Sequence, residues 1–292
     1  MLRFVNLTLA GVSQGMIFAA IALALVMIFR ATRIINFAQG AMLMITTLIA
    51  WSVLQHSRSY WLALAVALGS GLVLGAVTER VFIRPVESKS PLNAVVVTLG
   101  LLVMINSVAG MIWGNSPHSY PPAFSLQGFQ VGGVRLLFSP ADLFTIGAVA
   151  FTMLALVLLF RWTVLGLQMR AAAYAPEIAR LIGVRVSRML TIGWALSALV
   201  GSLAGVLIAP AVFVGPVQFE SVLVYAFTAA IIGGLDSPVG AVVGGLLLGC
   251  VLSYVSGYAG SEITPLAALA ALMAVLMLRP SGLLGSSTGR SV

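Results

Sequence analysis

The sequence carries little charge and almost no lysine, cysteine or histidine. Charged residues make up 8% of its 292 residues, whereas a soluble domain carries about 25%. Its one lysine is Lys89. A phosphate-cradling Walker A loop needs glycine six residues and one residue before its lysine. Those positions hold Ile83 and Ser88, which excludes ATP hydrolysis through a P-loop. The single Cys250 lies in an apolar run, so no disulfide framework and no cysteine-cluster metal site is expected. His56 and His118 stand in expected outward loops without carboxylate or cysteine neighbours at ligand spacing, and both read as solvated loop residues. No cofactor, no metal site and no catalytic residue is expected. The net charge of +8 comes from cations scattered singly between apolar runs, which does not resemble a nucleic-acid face.

What the chain does have is apolar length. Hydrophobic residues make up 61%, and apolar segments recur at 7–29, 38–54, 61–78, 92–113, 141–160, 190–209, 222–235, 239–256 and 263–278. A spanning helix needs about 20 such residues. The expected fold is all-α: a polytopic transmembrane helical bundle of eight or nine spanning segments. The first segment gives about 35 Å of helix, too long for a signal-peptide core. It ends at Arg30 without a small-residue cleavage pattern and reads as a retained span. An outside N-terminus places Arg30, Arg33, Arg80, Arg84, Lys89, Arg161, Arg170, Arg180, Arg185, Arg188, Arg279 and Arg290 inside. Only Arg3, Arg58 and Arg135 then lie outside. The positive-inside rule therefore sets the N-terminus outside and the C-terminus inside. Loop 114–139, with Asn115-Ser116-Pro117, Pro121-Pro122 and Gly132-Gly133, reads as an irregular outward lid.

Two breaks interrupt the apolar pattern. Segment 222–235 gives only about 21 Å of helix and is followed by the rest of the run Gly233-Gly234-Leu235-Asp236-Ser237-Pro238-Val239-Gly240. Short, Gly/Pro-interrupted segments mark translocation sites in transporters. A tight cytoplasmic turn between two ordinary helices fits equally, so a re-entrant hairpin and two full spans both stand. The second break holds Asn36, Gln39 and Gly40. Asn36 and Gln39, three apart, share a face if helical. They suit a pathway lining, a bond to another helix, or a polar entry to the second span. Small-xxx-small pairs at Gly11/Gly15, Gly71/Gly75, Gly201/Gly205, Gly240/Gly244 and Gly245/Gly249 fit close helix packing within the chain.

Ionisable groups at membrane depth cost about 2.5–3.5 kcal/mol each. Glu79, Glu87, Asp142, Glu177, Glu220 and Glu262 fall at helix ends or in loops, leaving Asp236 as the one acid that suits such depth. An interfacial turn is the plainer place for it. The chain thus lacks an evident energy source of its own, as in a passive pore or a channel-forming subunit driven by a separate ATPase. A self-sufficient secondary transporter relying on Asp236 is the alternative.

The basic segment from Arg161 to Arg188 favours the driven subunit. Within it, Pro176-Glu177-Ile178-Ala179-Arg180-Leu181-Ile182-Gly183 reads as one short helix. Proline suits its first position, Glu177 its positive end, and Gly183 the position just past its end. A short cytoplasmic helix between two spans is a docking element for a soluble partner.

Five segments, in order, resemble the membrane permeases of ABC importers for branched-chain amino acids (the LivH type). They are Gly15 to Phe29, Arg33 to Met42 (RIINFAQGAM), Gly166 to Val184 (GLQMRAAAYAPEIARLIGV), Ala226 to Gly249 and Leu278 to Gly285 (LRPSGLLG). The resemblance implies one transmembrane permease domain over 1–292, a non-catalytic subunit of the inner membrane. It also implies two ATP-binding subunits, a second related permease and a periplasmic substrate-binding protein as partners. Branched-chain or related hydrophobic amino acids are the implied substrates, and relatives handle urea, short amides or other amino acids. Carried over by position, the ATPase-docking loop 161–189 holds Ala171, Pro176, Glu177, Ala179, Arg180, Leu181 and Gly183. The translocation path is flanked by Asn36, Gln39, Gly40, Gly233, Gly234 and Asp236. The family often has histidine at Gln39 and glycine at Asp236, and Ala175 stands where a polar cap is common.

Overall fold

A computed structural model describes residues 2–87, 91–131, 134–216 and 218–285. Lys89, Arg290 and the Gly132-Gly133 pair lie outside the described residues. The chain is all-α apart from one short hairpin. In order, the membrane-scale helices are α1 (Leu2–Thr32), α2 (Gln39–Ser57) and α3 (Tyr60–Val77). A π-helical turn, Thr78–Ile83, leads into the short α4 (Arg84–Glu87) and then α5 (Pro91–Trp113). The hairpin β1 (Gln130–Val131) and β2 (Val134–Arg135) precedes α6 (Pro140–Trp162). Then come α7 (Val164–Tyr174), α8 (Pro176–Leu181), α9 (Val186–Val212), α10 (Glu220–Gly233), α11 (Pro238–Tyr258) and α12 (Thr264–Leu278).

Among the described residues, seven helical stretches are long and apolar enough to cross a membrane, and α10 is a shorter apolar helix. With α2, which is 19 residues or about 28 Å, they account for all nine apolar segments of the sequence. Helix starts follow local chemistry. Ser59, Thr163 and Ser237 cap α3, α7 and α11 by accepting from the N–H of Leu62, Gly166 and Gly240. Ser139 and Asp142 form a box at the start of α6, where the carboxylate accepts from the Ser139 N–H at 2.9 Å.

The described residues group into two compact units. One comprises Met1–Val26, Pro122–Ala150 and Val224–Val292. In it α1 meets α11 through glycines. A Cβ at Gly15 would lie 2.9 Å from Leu246 Cα, and one at Gly245 would strike Ala19. Lipid tails give helices no hydrophobic reason to associate, so close backbone contact at such small residues supplies the attraction. α10 and α11 meet the same way at Gly233, Gly240 and Gly244. The end of α10 is closed from an unexpected direction. Leu283 N–H donates to Ile232 O at 2.8 Å and Leu284 N–H to Gly233 O at 3.1 Å. The Arg279-Pro280-Ser281-Gly282 stop after α12 therefore also turns the chain back to satisfy carbonyls that α10 leaves open.

The other unit comprises Met27–Pro121 and Phe151–Leu223. Here α9 packs on α3 at Gly71 and Gly75, which face Ser202, Ala198 and Trp194. α9 also packs on α2, where Gly201 and Gly205 face Gln39, Leu43 and Thr47. The paired glycines thus serve packing inside the chain, as expected.

Two expectations need correction. His118 is not a solvated loop residue. It stacks on Trp51 with ring centroids 4.2 Å apart, and its backbone bridges Val214. The Trp51 ring on one face and the Trp113 carbonyl at Nε2 hold the half-buried imidazole in place. Residues 164–174 form a second short helix in the 161–189 loop, α7, where the sequence suggested only one. Glu79 follows the end of α3, in keeping with a helix-end acid. It is fully buried in the π turn, because Arg84 and Thr191 neutralise and bond it there.

Candidate functional site

Asn36, Gln39 and Gly40 come together at the break between α1 and α2. α1 closes with Arg33 in the left-handed region (φ 57°), its N–H bonded to Phe29 O at 2.7 Å. The chain then turns through Asn36, whose Oδ1 accepts from Ala38 N–H at 3.1 Å. Asn36 Nδ2 donates to Gln39 Oε1 at 3.0 Å. Thr98 of α5 holds the turn from the side, accepting from Phe37 N–H at 3.4 Å and donating to Val95 O at 2.8 Å. Asn36, Gln39 and Thr98 are all buried. Gln39 Nε2 nevertheless has no hydrogen-bond partner among the described residues, and a Cβ at Gly201 would press on it. A buried amide donor left open costs about 1–3 kcal/mol, so this atom marks a place where a water or a passing acceptor is favoured.

Gly40 also borders a narrow cleft in the same unit, lined by Ala41, Met44, Leu102, Asn106, Phe219 and Glu220 among others. Asn106 Nδ2 lies 3.4 Å from Glu220 Oε1, and Asn106 Oδ1 is buried without a partner. The ionised carboxylate accepts only, so the amide presents its nitrogen to Glu220 and its oxygen elsewhere. Asn106 and Glu220 lie far apart in sequence, and no local pattern pointed to them.

In the other unit, Gly233, Gly234 and Asp236 form the turn between α10 and α11. Gly234 has φ 104°, a conformation glycine alone adopts without strain. Ser237 N–H donates to Gly234 O at 3.0 Å, and Pro238 opens α11. Asp236 is half-buried in that turn. α10 covers about 21 Å.

The loop residues divide by face. Ala179 is buried with Met169, Ala172, Val186, Met189 and Leu190, and Ala171 packs beside them. Pro176, Glu177, Arg180, Leu181 and Gly183 are exposed. Glu177 and Arg180 pair at 3.0 Å in the open, a contact of little energy. α8 has no side-chain cap at Ala175, as the sequence suggested, and Gly183 ends it with φ 86°. Its outward face is apolar: Leu181 is 87% exposed, Ile182 72% and Ile178 62%, beside Tyr174 at 93%.

One spelling invites an enzymatic reading. Gly11-Val12-Ser13-Gln14-Gly15 matches the hydrolase elbow pattern. The elbow requires a strand-to-helix turn, whereas these residues lie inside α1. Ser13 donates to Asp142 at 2.7 Å, with no histidine among its described partners. No group of three metal-ligating residues occurs among the described residues.

A family profile, "Branched-chain amino acid transport system / permease component", matches residues 7–279. The chain belongs to this family. The permease LivH of Escherichia coli K12, described as high-affinity branched-chain amino acid transport system permease protein, is 29% identical over 97% of this chain and 96% of its own length. The permease protein BraD of Pseudomonas aeruginosa is 25% identical, covering 94% of each chain. Among solved structures, PsaBC from Streptococcus pneumoniae in complex with Fab matches with a TM-score of 0.51 at 13% identity, over 94% of this chain and 91% of that one. That likeness speaks to the fold. The permease family accounts for the ordered motifs and makes this a multi-pass membrane component of a transport system.

Proposed function

We infer that this chain is the membrane-spanning permease subunit of an ABC importer in the inner membrane. It passes branched-chain or related hydrophobic amino acids inward and has no catalytic activity of its own. The family match over nearly the whole chain carries the reading. Two ATP-binding subunits, a second related permease and a periplasmic binding protein complete the machine. The outside N-terminus and inside C-terminus put α7 and α8 on the cytoplasmic side of a single permease domain.

The docking element is the 161–189 loop, with Ala171 and Ala179 as its underside and Pro176, Glu177, Arg180, Leu181 and Gly183 at its face. Exposed apolar side chains on a soluble face mark protein contacts, and α8 offers three, beside Tyr174. Asn36, Gln39 and Gly40 line the substrate's way in their unit, and Gly233, Gly234 and Asp236 line it in theirs. Binding of ATP in the partners moves α8, and the rigid helices follow.

The experiment replaces Ile178 and Leu181 by Asp together, and Gly183 by Val alone. Co-purification with the ATP-binding subunits is measured alongside uptake of labelled leucine, urea and a short amide. Burying two such side chains is worth about 1.5–3 kcal/mol each, so docking weakens at least about tenfold in the double variant. Full assembly and uptake in both variants would sink the docking assignment. Uptake of urea in preference to leucine would move the substrate to the amide branch of the family.

A further inference from the structure

The π-helical turn between α3 and α4 holds an ion-pair cluster that neither the docking loop nor the substrate path accounts for. Arg84 Nε donates to Glu79 Oε1 at 3.0 Å and Arg84 Nη2 to Glu79 Oε2 at 2.9 Å. Thr191 of α9 donates to the same Oε2 at 2.7 Å. Arg84 Nη2 also reaches Thr191 Oγ1 at 2.7 Å and Ser187 O at 3.2 Å. Glu79 is completely buried, while the Arg84 side chain is 37% exposed.

The cluster depends on the irregular turn. Arg84 N–H bonds Glu79 O, an i→i+5 contact. That wider winding brings residues five apart closer around the axis than an α-helix does. π turns cost backbone geometry and gather at functional sites. The same turn sets Ile83 into a buried cluster with Trp194 of α9 and Ala94 of α5.

On α9 the cluster's partners sit at one end of a continuous solid path. α8 is tied back by Val184 N–H to Ala179 O at 2.9 Å, and Ala179 is buried against Val186, Met189 and Leu190 on the first turns of α9. Ser187 and Thr191 lie on those same turns. Any displacement of α8 therefore reaches the Glu79–Arg84 pair through packed atoms rather than through a loop.

We propose that Glu79 is a positioning residue for transport: with Arg84 and Thr191 it forms the joint that hands movement of α7 and α8 to α3 and α5. The proposal rests on α8 being the docking helix. The joint is a charged, directed contact, whereas α9 meets α2 and α3 elsewhere by close approach at small residues. An apolar contact tolerates sliding, whereas a bidentate charged pair with a third directed bond holds one geometry.

The test uses the assembled complex with its ATP-binding subunits in proteoliposomes and reads labelled leucine taken up per ATP hydrolysed. Thr191→Val removes the hydroxyl by which α9 bonds both Glu79 and Arg84, and keeps the Glu79–Arg84 pair and the Arg84–Ser187 carbonyl bond; Thr191→Ser keeps the hydroxyl. Glu79→Gln weakens the pair itself. A purely structural role lowers the yield of complex without changing the ratio per complex. The joint predicts a ratio lowered about fivefold in Thr191→Val and Glu79→Gln, and restored in Thr191→Ser. Where Glu79→Gln does not assemble, the two Thr191 variants decide. A ratio in Thr191→Val equal to that of the unmodified complex overturns the proposal. Absence of ATP-driven uptake in the unmodified complex overturns the permease reading instead, and the joint with it.

Discussion

Two polar clusters lie buried in the same unit of this protein, and they are finished differently. At the π turn every charged oxygen of Glu79 has a donor. At the α1–α2 break, Asn36 and Gln39 bond each other, yet Gln39 Nε2 is left without a partner. A saturated cluster fixes the helices around it. An unsaturated one keeps a standing demand for an acceptor. On the proposed reading, the first transmits position and the second meets substrate.

The comparison breaks most sharply at Arg84. Arg84→Ala leaves a fully buried carboxylate with only the Thr191 hydroxyl, and loss of about 3–5 kcal/mol is expected. Glu79→Ala leaves a guanidinium that already reaches solvent, so it should cost clearly less, about 1–3 kcal/mol. Thermal unfolding in detergent reads both, and equal losses would show that the carboxylate is not the trapped partner. At the other cluster, Gln39→Leu removes the unmet donor along with one hydrogen bond. Stability should stay within about 1 kcal/mol of the parent, while leucine uptake falls if the donor meets substrate. A large loss of stability would make Gln39 a structural residue. The smallest effect is expected at Tyr120, buried with its hydroxyl unpartnered. Burial first, and neighbouring Tyr60 second, raise its phenol above the ordinary value. Tyr120→Phe should change stability by less than about 1 kcal/mol. Because the folded form holds this proton more tightly, the parent loses stability only as pH climbs past the unfolded value of about 10. The variant should lose correspondingly less in that alkaline range.

The nine apolar segments were legible because each helix must be apolar along a membrane's thickness, whatever its partners. α8 was legible because Pro176, Glu177 and Gly183 punctuate it locally. α7 was not: residues 164–174 are short, Thr163 announces their start, and Pro176 just past their end was read as the start of α8. Asn36 and Gln39 stood out as polar residues in an apolar run. The burial of Glu79 was not legible, because a charge beside Arg80 and Arg84 reads as a helix end and no more. Its burial depends on Thr191, more than a hundred residues away. Asn106 and Glu220 escaped for the same reason, since their meeting is made by packing rather than by spacing.

The return of residues 282–284 onto the end of α10 also sets an order of assembly. The carbonyls of Ile232 and Gly233 find their donors in a segment synthesised only after α11 and α12. Until then the Gly233–Asp236 turn stays unfastened on that side while the ribosome is still delivering chain. This short apolar helix is thus among the last to be locked, and a chain ended at Gly282 would leave those two carbonyls without these donors.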